Sequence, residues 1–290
     1  MTARTPASAA MAALLERRQI VLSDFPMREP DRGSQLAGAA ALREHVDAAL
    51  VGEPPSVTAQ LPHAYRARLL TAEGLGVWST VNCRDRNRVA LEGELSALAH
   101  AGAVAAHCVS GDPVTAGRRP EAQPVFDLDA SGLVPLARDA GLLVSAAESV
   151  ETPPVEQRPA RFARKVAAGA ELAFLNLVSG PDPVDRFLRA LEALGAGVRA
   201  LVCVPLVIDD GSARILTGLD GHAEPTGLVA TVLGADDPRE AGIRAAVGLA
   251  ERILAVPGVA GVNVSGGATR GRELEYATAL AETARRIGLR

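Results

Sequence analysis

The stretch at residues 76–113, GVWSTVNCRDRNRVALEGELSALAHAGAVAAHCVSGDP, decides the fold. Its pattern predicts a strand over 77–83, a helix over 88–100 and a second strand over 103–109, ended by a Ser-Gly-Asp-Pro turn. Two strands joined by a helix within about 35 residues form a βαβ unit with parallel strands. In such folds ligands bind outside the carboxyl ends of the strands, so Asp112, just after the second strand, is a candidate site residue.

The same alternation continues along the chain. Further apolar runs predict strands at 19–26, 56–60, 142–147, 171–178, 198–207 and 259–264. Helical spacing predicts helices at 35–50, 64–72, 132–140, 159–168, 183–194, 238–254 and 274–287. Eight strands alternating with eight helices predict an α/β protein, a single-domain (β/α)8 TIM barrel over residues 1–290. Residues 1–17 are expected to form a loosely attached N-terminal segment with a short helix.

Composition restricts the class of protein. The chain has 290 residues, a normal length for one barrel, with 48% hydrophobic and 3% aromatic residues. A net charge of −4 argues against binding to nucleic acid or to a membrane surface. No apolar run approaches the roughly 20 residues that span a bilayer, and no signal-peptide pattern is present. We therefore expect a cytoplasmic enzyme with a small-molecule substrate, and leave a homo-oligomer open.

Few residues suggest metal or thiol chemistry. Cys83, Cys108 and Cys203 are odd in number and widely spaced, which favours buried free thiols over a disulfide framework or a zinc site. His107 lies within a predicted strand, and the favoured interpretation is a core or helix-facing histidine. We therefore expect neither a histidine metal site nor a Ser-His-Asp hydrolase, and no metal.

Two stretches have an anion-binding interpretation and a structural one. The Gly266-Gly267 pair follows the last predicted strand and either binds a phosphate or forms a turn before the last helix. Arg161, Arg164 and Lys165 on one helix either hold a pyrophosphate or form a solvated helix face. On charge alone the solvated face is favoured.

Six short motifs carry a family resemblance over most of the chain. They are Asp24-Phe-Pro-Met-Arg28, Ser56-Val-Thr58, Thr80-Val-Asn-Cys-Arg-Asp85, Ser110-Gly-Asp-Pro113, Arg164-Lys-Val-Ala-Ala-Gly-Ala170 and Gly218-Leu-Asp220. In order and spacing they resemble motifs of the methylenetetrahydrofolate reductase family, flavin-binding (β/α)8 barrels of one-carbon metabolism.

The resemblance implies an oxidoreductase that reduces 5,10-methylenetetrahydrofolate to 5-methyltetrahydrofolate with NAD(P)H through FAD. It implies catalytic roles for Asp24 and Asp112, and substrate contacts to the tetrahydrofolate derivative from Asn82 and Asn176. The residues implied to contact FAD are Thr58, Thr80, Ser110, Gly111, Asp112, Arg164 and Lys165. In such an enzyme the cofactor carries the chemistry, and the barrel supplies position and electrostatics.

The chain also departs from the family pattern. Ser23 occupies the place of the family's general-acid glutamate, with Asp24 beside it, while Thr80 and Ser110 replace a histidine and an arginine. Adjacent side chains of a strand face opposite ways, so Asp24 replaces the acid only if the strand is shifted. The departures leave two alternatives. One is a flavin-independent folate-binding barrel in a specialised one-carbon or methyl-transfer step, and the other is a non-catalytic folate-binding homologue.

Overall fold

The computed structural model describes residues 3–27, 30–53, 61–112, 121–218 and 223–290. Its strands are β1 Ile20–Asp24, β2 Ala48–Val51, β3 Val77–Asn82, β4 Ala105–Val109, β5 Leu143–Glu148, β6 Leu172–Leu175, β7 Arg199–Pro205 and β8 Val259–Ser265. They form a closed barrel in chain order. Each neighbouring pair is parallel, and Leu22 of β1 lies opposite Asn263 of β8 where the barrel closes. The predicted (β/α)8 TIM-barrel fold is therefore confirmed.

The helices surround this barrel. They are α1 Pro6–Arg17, α2 Arg32–Leu42, α3 His63–Ala72, α4 Arg88–Ala101, α5 Ala130–Asp139, α6 Arg158–Ala168, α7 Pro181–Ala193, α8 Asp210–Thr217, α9 Leu228–Leu233, α10 Pro238–Leu254 and α11 Glu273–Ile287. A short 3-10 helix, Val155–Gln157, precedes α6. In the described part of the chain, no helix combines the length and the apolar character that crossing a membrane requires.

Side-chain caps determine where several helices begin. Asn87, Asp129 and Asp237 each accept a hydrogen bond from a backbone N–H in the first turn of the helix that follows. Asp209 does the same for α8 in a reciprocal capping box with Ser212. Such caps satisfy N–H groups that have no partner inside the helix. They therefore fix the residues at which these four helices begin.

The strands bury both of their faces. Val21 and Val81 face outward and pack in the layer between strands and helices. Leu22, Trp78 and Leu143 face inward and belong to the cluster that fills the barrel. The side chains of a strand alternate between its two faces, which explains why these strands read as continuous apolar runs.

Helix α1 closes the amino-terminal end of the barrel. Met11 and Leu15 are buried in the same cluster as the inward-facing strand residues. Ser8 Oγ donates to the Val104 carbonyl at 2.8 Å and accepts the Leu143 backbone N–H at 3.1 Å. The segment expected to be loosely attached thus contains a packed helix, because two apolar side chains one turn apart face the barrel.

The second strand lies earlier in the chain than predicted. The sequence predicts a helix over 35–50 and a strand over 56–60, but α2 ends at Leu42 and β2 is Ala48–Val51. Residues 56–60 lie outside the described residues. A buried strand of four apolar residues has no alternating pattern, so periodicity alone does not distinguish it from the end of a helix. The short helices α8 and α9 were also not predicted.

Candidate active site

A cavity of about 500 Å³ opens at the carboxyl ends of the strands. Barrels bind their ligands at this end, and the volume is in the range of about 300–1,000 Å³ that is usual for small-molecule sites. Six of the residues predicted from the sequence line it: Asp24, Thr80, Asn82, Gly111, Asp112 and Asn176. The parallel strands bring these residues together from four different strand ends.

Asp24 is the last residue of β1, and its carboxylate lies against the end of β8. It accepts hydrogen bonds from Asn263 Nδ2 at 2.7 Å, from Ser265 Oγ at 2.7 Å and from the Gly266 backbone N–H at 3.0 Å. Ser23 is fully buried, and the alternation of the strand directs it away from the cavity that Asp24 lines. Asp24 therefore faces the site without a shift of the strand.

The backbone of Gly111 positions Asp112, and its conformation requires a glycine at this place. Gly111 has φ +86°, which is in the left-handed region that favours glycine. A Cβ atom there would lie 2.9 Å from the Arg84 Cβ and 3.2 Å from the Asn82 Cβ. Among the described residues, the exposed Asp112 carboxylate has neither a hydrogen-bond nor an ion-pair partner. It is therefore available to a ligand.

Arg66 brings a buried positive charge to the cavity wall from α3. Its Nε donates to Gln35 Oε1 at 3.2 Å, one terminal nitrogen to the Gly52 carbonyl at 3.3 Å and the other to the Met27 carbonyl at 3.2 Å. These partners are neutral, and the guanidinium also lies 5.6 Å from the centre of the Phe25 ring. Burial lowers the pKa of Arg66 to about 10, and the charge of Glu53 works in the opposite direction, so the group stays charged at neutral pH.

Glu53 holds the neighbouring wall in place. Burial alone would raise its pKa, but contacts with His63 and Arg86 outweigh burial and hold the pKa at about 2. Arg86 binds both carboxylate oxygens, and Asn82 Nδ2 donates to one of them. His63 Nε2 lies 2.8 Å from Glu53 Oε1 but is not aligned for a hydrogen bond. Glu53 is therefore a permanent anion that orients Asn82.

His107 also lines the cavity, at its floor. The sequence favoured a core or helix-facing histidine. The side chain is indeed buried, with 6% of its surface exposed, but it points into the barrel. Burial, and then the charge of Lys165, lower the pKa of His107 to about 3. The ring is therefore neutral at every physiological pH.

Two residues that were expected to contact FAD serve the surrounding structure instead. Ser110 Oγ accepts the Ala130 backbone N–H at 3.2 Å, at the beginning of α5. Lys165 Nζ donates to the Ala147 carbonyl at 2.5 Å and lies 3.4 Å from Glu148 Oε2. Burial lowers the pKa of Lys165, and Glu148 partly offsets that effect.

Arg164 does not line the cavity. Arg164 is exposed on α6, in agreement with the solvated helix face that its charge pattern favoured. Thr58 lies outside the described residues. The interpretation of Arg161, Arg164 and Lys165 as a pyrophosphate site is not supported, because Lys165 is already paired with Glu148.

Four titratable cavity residues were not assigned to the site from the sequence: Glu53, Arg66, Arg84 and His107. Glu53 follows β2. Because the second strand was predicted at 56–60, Glu53 was not recognised as a residue at a strand end. Arg66 had a usable signal, because it lies four residues before the buried Leu70 and therefore on the inner face of α3. The charge of an inward-facing helical arginine indicates a site rather than a solvated surface.

No group of three or more His, Cys, Asp or Glu side chains is arranged to hold a metal ion in the described part of the chain. Asp24 already accepts three hydrogen bonds, and Glu53 is paired with Arg86. The charges that remain directed at the cavity come from Arg66, Arg84 and Asp112.

The barrel and its cavity define a (β/α)8 barrel protein with an open cavity at the carboxyl ends of its strands. No family model matches the chain, and no curated protein sequence matches it. Solved structures do match. One is 2,3-dimethylmalate lyase, a member of the PEP mutase/isocitrate lyase superfamily, at 14% identity and a TM-score of 0.56, over 91% of this chain and 81% of that one.

Oxaloacetate acetylhydrolase is a second similar structure. Its complex with 3,3-difluorooxalacetate matches at 13% identity and a TM-score of 0.57, over 91% of this chain and 81% of that one. Its complex with the product oxalate matches at 12% identity and a TM-score of 0.57, over 91% and 82%. At these identities the likeness shows the barrel fold.

These matches overturn the resemblance to the methylenetetrahydrofolate reductase family. The similar structures are a lyase of the PEP mutase/isocitrate lyase superfamily and an acetylhydrolase, so the expected oxidoreductase activity is wrong. The predictions of FAD, NAD(P)H and a tetrahydrofolate derivative as cofactors are also wrong, and so are both folate-binding alternatives.

Local structure explains why the motifs were misleading. The Arg164–Ala170 motif ends α6 at Gly169, which has φ +114° and donates to the Lys165 and Val166 carbonyls. The described part of the Ser110–Pro113 motif, residues 110–112, follows the end of β4 with Gly111 at φ +86°. A helix end and a strand end recur in every barrel, whatever the barrel binds.

Proposed function

We propose that this protein is an enzyme that cleaves a carbon–carbon bond in a small dicarboxylate of the 2-hydroxy or 2-oxo type. The substrate binds in the cavity at the carboxyl ends of the strands. The similar solved structures support the substrate class, since they are a lyase named for 2,3-dimethylmalate and a hydrolase named for oxaloacetate. A cavity of about 500 Å³ accommodates an acid of this size.

The buried Arg66 is the observation that carries the proposal. Its three protein acceptors are all neutral oxygens, and they use three of the five N–H donors of a guanidinium. The charge of nearby Glu53 offsets part of the cost of burying this cation. Because no carboxylate among the described residues binds the guanidinium directly, an anionic ligand offsets more of that cost. A substrate carboxylate also matches the planar geometry of a guanidinium.

Arg84 supplies the second cation of the cavity. Its guanidinium lies 3.1 Å from Asp85 Oδ2, and the Asp85 side chain is 40% exposed, so solvent weakens this ion pair. Two arginines suit a ligand with two carboxylates. Asn82, which Glu53 orients, adds an amide oxygen to the same wall; that oxygen accepts the Arg84 backbone N–H at 3.1 Å.

Asp112 is the proposed proton-transfer residue. It removes the proton of the substrate hydroxyl, and the bond between the hydroxyl carbon and its neighbour breaks. The hydroxyl carbon becomes a carbonyl, while the electron pair passes to the carbon beside the second carboxylate, which then takes up a proton. For a 2-oxo acid, addition of water across the carbonyl first supplies the hydroxyl.

The test is turnover of a panel of small acids. The wild-type protein is incubated with oxaloacetate, malate and alkyl-substituted malates, and NMR follows the loss of substrate and the release of the two products. We expect cleavage of at least one member. Asp112→Asn should lower kcat about 100-fold to 10,000-fold with little change in KM, and Arg84→Gln should raise KM about 10-fold to 100-fold.

Arg164→Gln is the matched control, since it removes an arginine that is exposed on α6 and does not line the cavity. It should turn over like the wild type. Failure of every acid in the panel to bind or to be cleaved contradicts the proposal, and so does equal behaviour of Arg84→Gln and Arg164→Gln.

A further inference from the structure

His107 is linked to two inward-facing residues of the strands around it. Its Nδ1 lies 3.0 Å from Ser145 Oγ on β5. The same Ser145 oxygen accepts the indole N–H of Trp78, on β3, at 2.9 Å. The Phe174 ring of β6 packs against the imidazole, with the ring centres 4.5 Å apart. These contacts hold the imidazole at the floor of the cavity.

The donors and acceptors in this chain determine where the imidazole carries its hydrogen. An indole nitrogen only donates, so Ser145 Oγ is the acceptor in its bond with Trp78. Ser145 is fully buried, and its hydroxyl hydrogen has one polar partner among the described residues, His107 Nδ1. A buried hydroxyl that does not donate is costly. Nδ1 is thus the acceptor, and a neutral ring then carries its hydrogen on Nε2.

The free nitrogen faces the cavity. No described residue engages His107 Nε2, and this atom is not among the fully occluded unpaired polar atoms of the structure. Because His107 lines the cavity, its Nε2–H is open to a ligand there. The charged groups around the cavity are Asp24, Glu53, Arg66, Arg84 and Asp112, and Lys165 approaches the ring from α6.

We propose that His107 is a specificity-determining residue: a fixed, uncharged Nε2–H donor at the floor of the cavity that selects ligands with an oxygen acceptor at that point. Trp78 and Ser145 are positioning residues for this donor. The inference deepens the proposed function, on which it rests for the identity of the oxygen. A carboxylate or carbonyl oxygen of the substrate fits the donor, and an amine or a hydroxyl hydrogen at the same place does not.

The state of the ring can be measured without a ligand. Nitrogen-15 NMR of the labelled protein distinguishes the two neutral forms of histidine from each other and from the charged form. The chain has five histidines, and the signal of His107 is identified as the one that is lost in His107→Gln. We expect a hydrogen on Nε2, none on Nδ1, and the same pattern from pH 8 to pH 5. A hydrogen on Nδ1, or a charged ring at pH 7, overturns the inference.

Ligand selection is tested with oxalate as the probe, by calorimetry. The amide nitrogen of glutamine takes the place of Nε2, whereas that of asparagine reaches only as far as Nδ1. His107→Gln should therefore bind oxalate within about threefold of the wild type, and His107→Asn about 10-fold to 100-fold more weakly. Thermal unfolding confirms that both variants are folded.

The outcomes separate the two proposals. Equal affinity of the two folded variants for oxalate overturns the role of His107, even if the acid panel is cleaved. If the wild type binds neither oxalate nor any acid of the panel, the proposed function fails, and the ring measurement alone decides whether His107 is the uncharged donor.

Discussion

Gly111 links a backbone conformation to the candidate proton-transfer residue. Gly111→Ala would place a Cβ atom 2.9 Å from the Arg84 Cβ at φ +86°, and so should displace both Asp112 and Arg84. We expect a loss of about 1–2 kcal/mol in the free energy of unfolding and a fall in turnover of at least about tenfold. Urea unfolding and the cleavage assay measure the two effects.

Gly93→Ala is the matched control. Gly93 lies inside α4, and a Cβ atom there would meet nothing within 4 Å. Because alanine favours helices, the free energy of unfolding of this variant should rise by up to about 1 kcal/mol, and its activity should be unchanged. If both variants behaved alike, the backbone at Gly111 would not position the site.

Glu53 makes the stability of the barrel depend on pH. Its pKa is about 2 in the folded protein and has an ordinary value of 4.5, so its stabilising effect is complete above pH 4.5 and is lost as the pH falls towards 2. The difference corresponds to roughly 3 kcal/mol. Glu53→Gln should therefore be less stable than the wild type at pH 6, and the gap should narrow between pH 4.5 and pH 3.

Urea unfolding across this pH range measures the gap. The control is Glu92→Gln, since Glu92 is an exposed residue of α4 that lies 3.9 Å from Arg88. It should lower stability by no more than about 0.5 kcal/mol at any pH. A gap between Glu53→Gln and the wild type that stays constant down to pH 3 would show that Glu53 does not carry the effect.

The sequence was informative for residues at strand ends and poor for residues that act from elsewhere. Asp24 and Asp112 could be found because polar residues at or near the carboxyl ends of buried strands face the ligand site. Arg66 could not be found by that rule, since it reaches the cavity from a helix. His107 was found in the sequence but not assigned to the site, because the interior of a barrel and its helix-facing layer produce the same apolar pattern.

At the scale of the element, α1 is an integral part of the barrel. Leu15 is 3% exposed and packs against inward-facing strand residues. Leu15→Ala should lower the free energy of unfolding by about 2–5 kcal/mol, because it leaves a cavity at the closed end of the barrel. Urea unfolding measures this loss.

Leu194→Ala provides the comparison, since Leu194 directly follows α7 and is 55% exposed. This substitution should change the free energy of unfolding by no more than about 0.5 kcal/mol. Equal losses in the two variants would mean that α1 does not contribute to the core.

The boundaries of an element were predictable where its sequence contains residues that typically begin or end a helix. Helix α10 was predicted over residues 238–254 and is found there, because Asp237 and Pro238 mark its beginning. Strand β2 has no comparable signal. Four apolar residues after a helix extend the helical pattern, and only the packing between β1 and β3 makes them a strand.

At the scale of the whole molecule, the alternation of strands and helices was enough to predict the fold. Parallel strands with helical crossovers bury both faces of the sheet, and eight of them close into a barrel. The activity did not follow from the same information. The motifs at Gly111 and Gly169 satisfy backbone requirements at a strand end and at a helix end that many barrels share, so they do not identify a ligand.

The indole at the floor of the barrel has a practical consequence. Trp78 is the single tryptophan of the chain, and one hydrogen-bonded oxygen separates it from His107. All tryptophan fluorescence of this molecule therefore originates directly beneath the cavity. The protein carries an intrinsic optical reporter of what occupies that space, and no label has to be attached to read it.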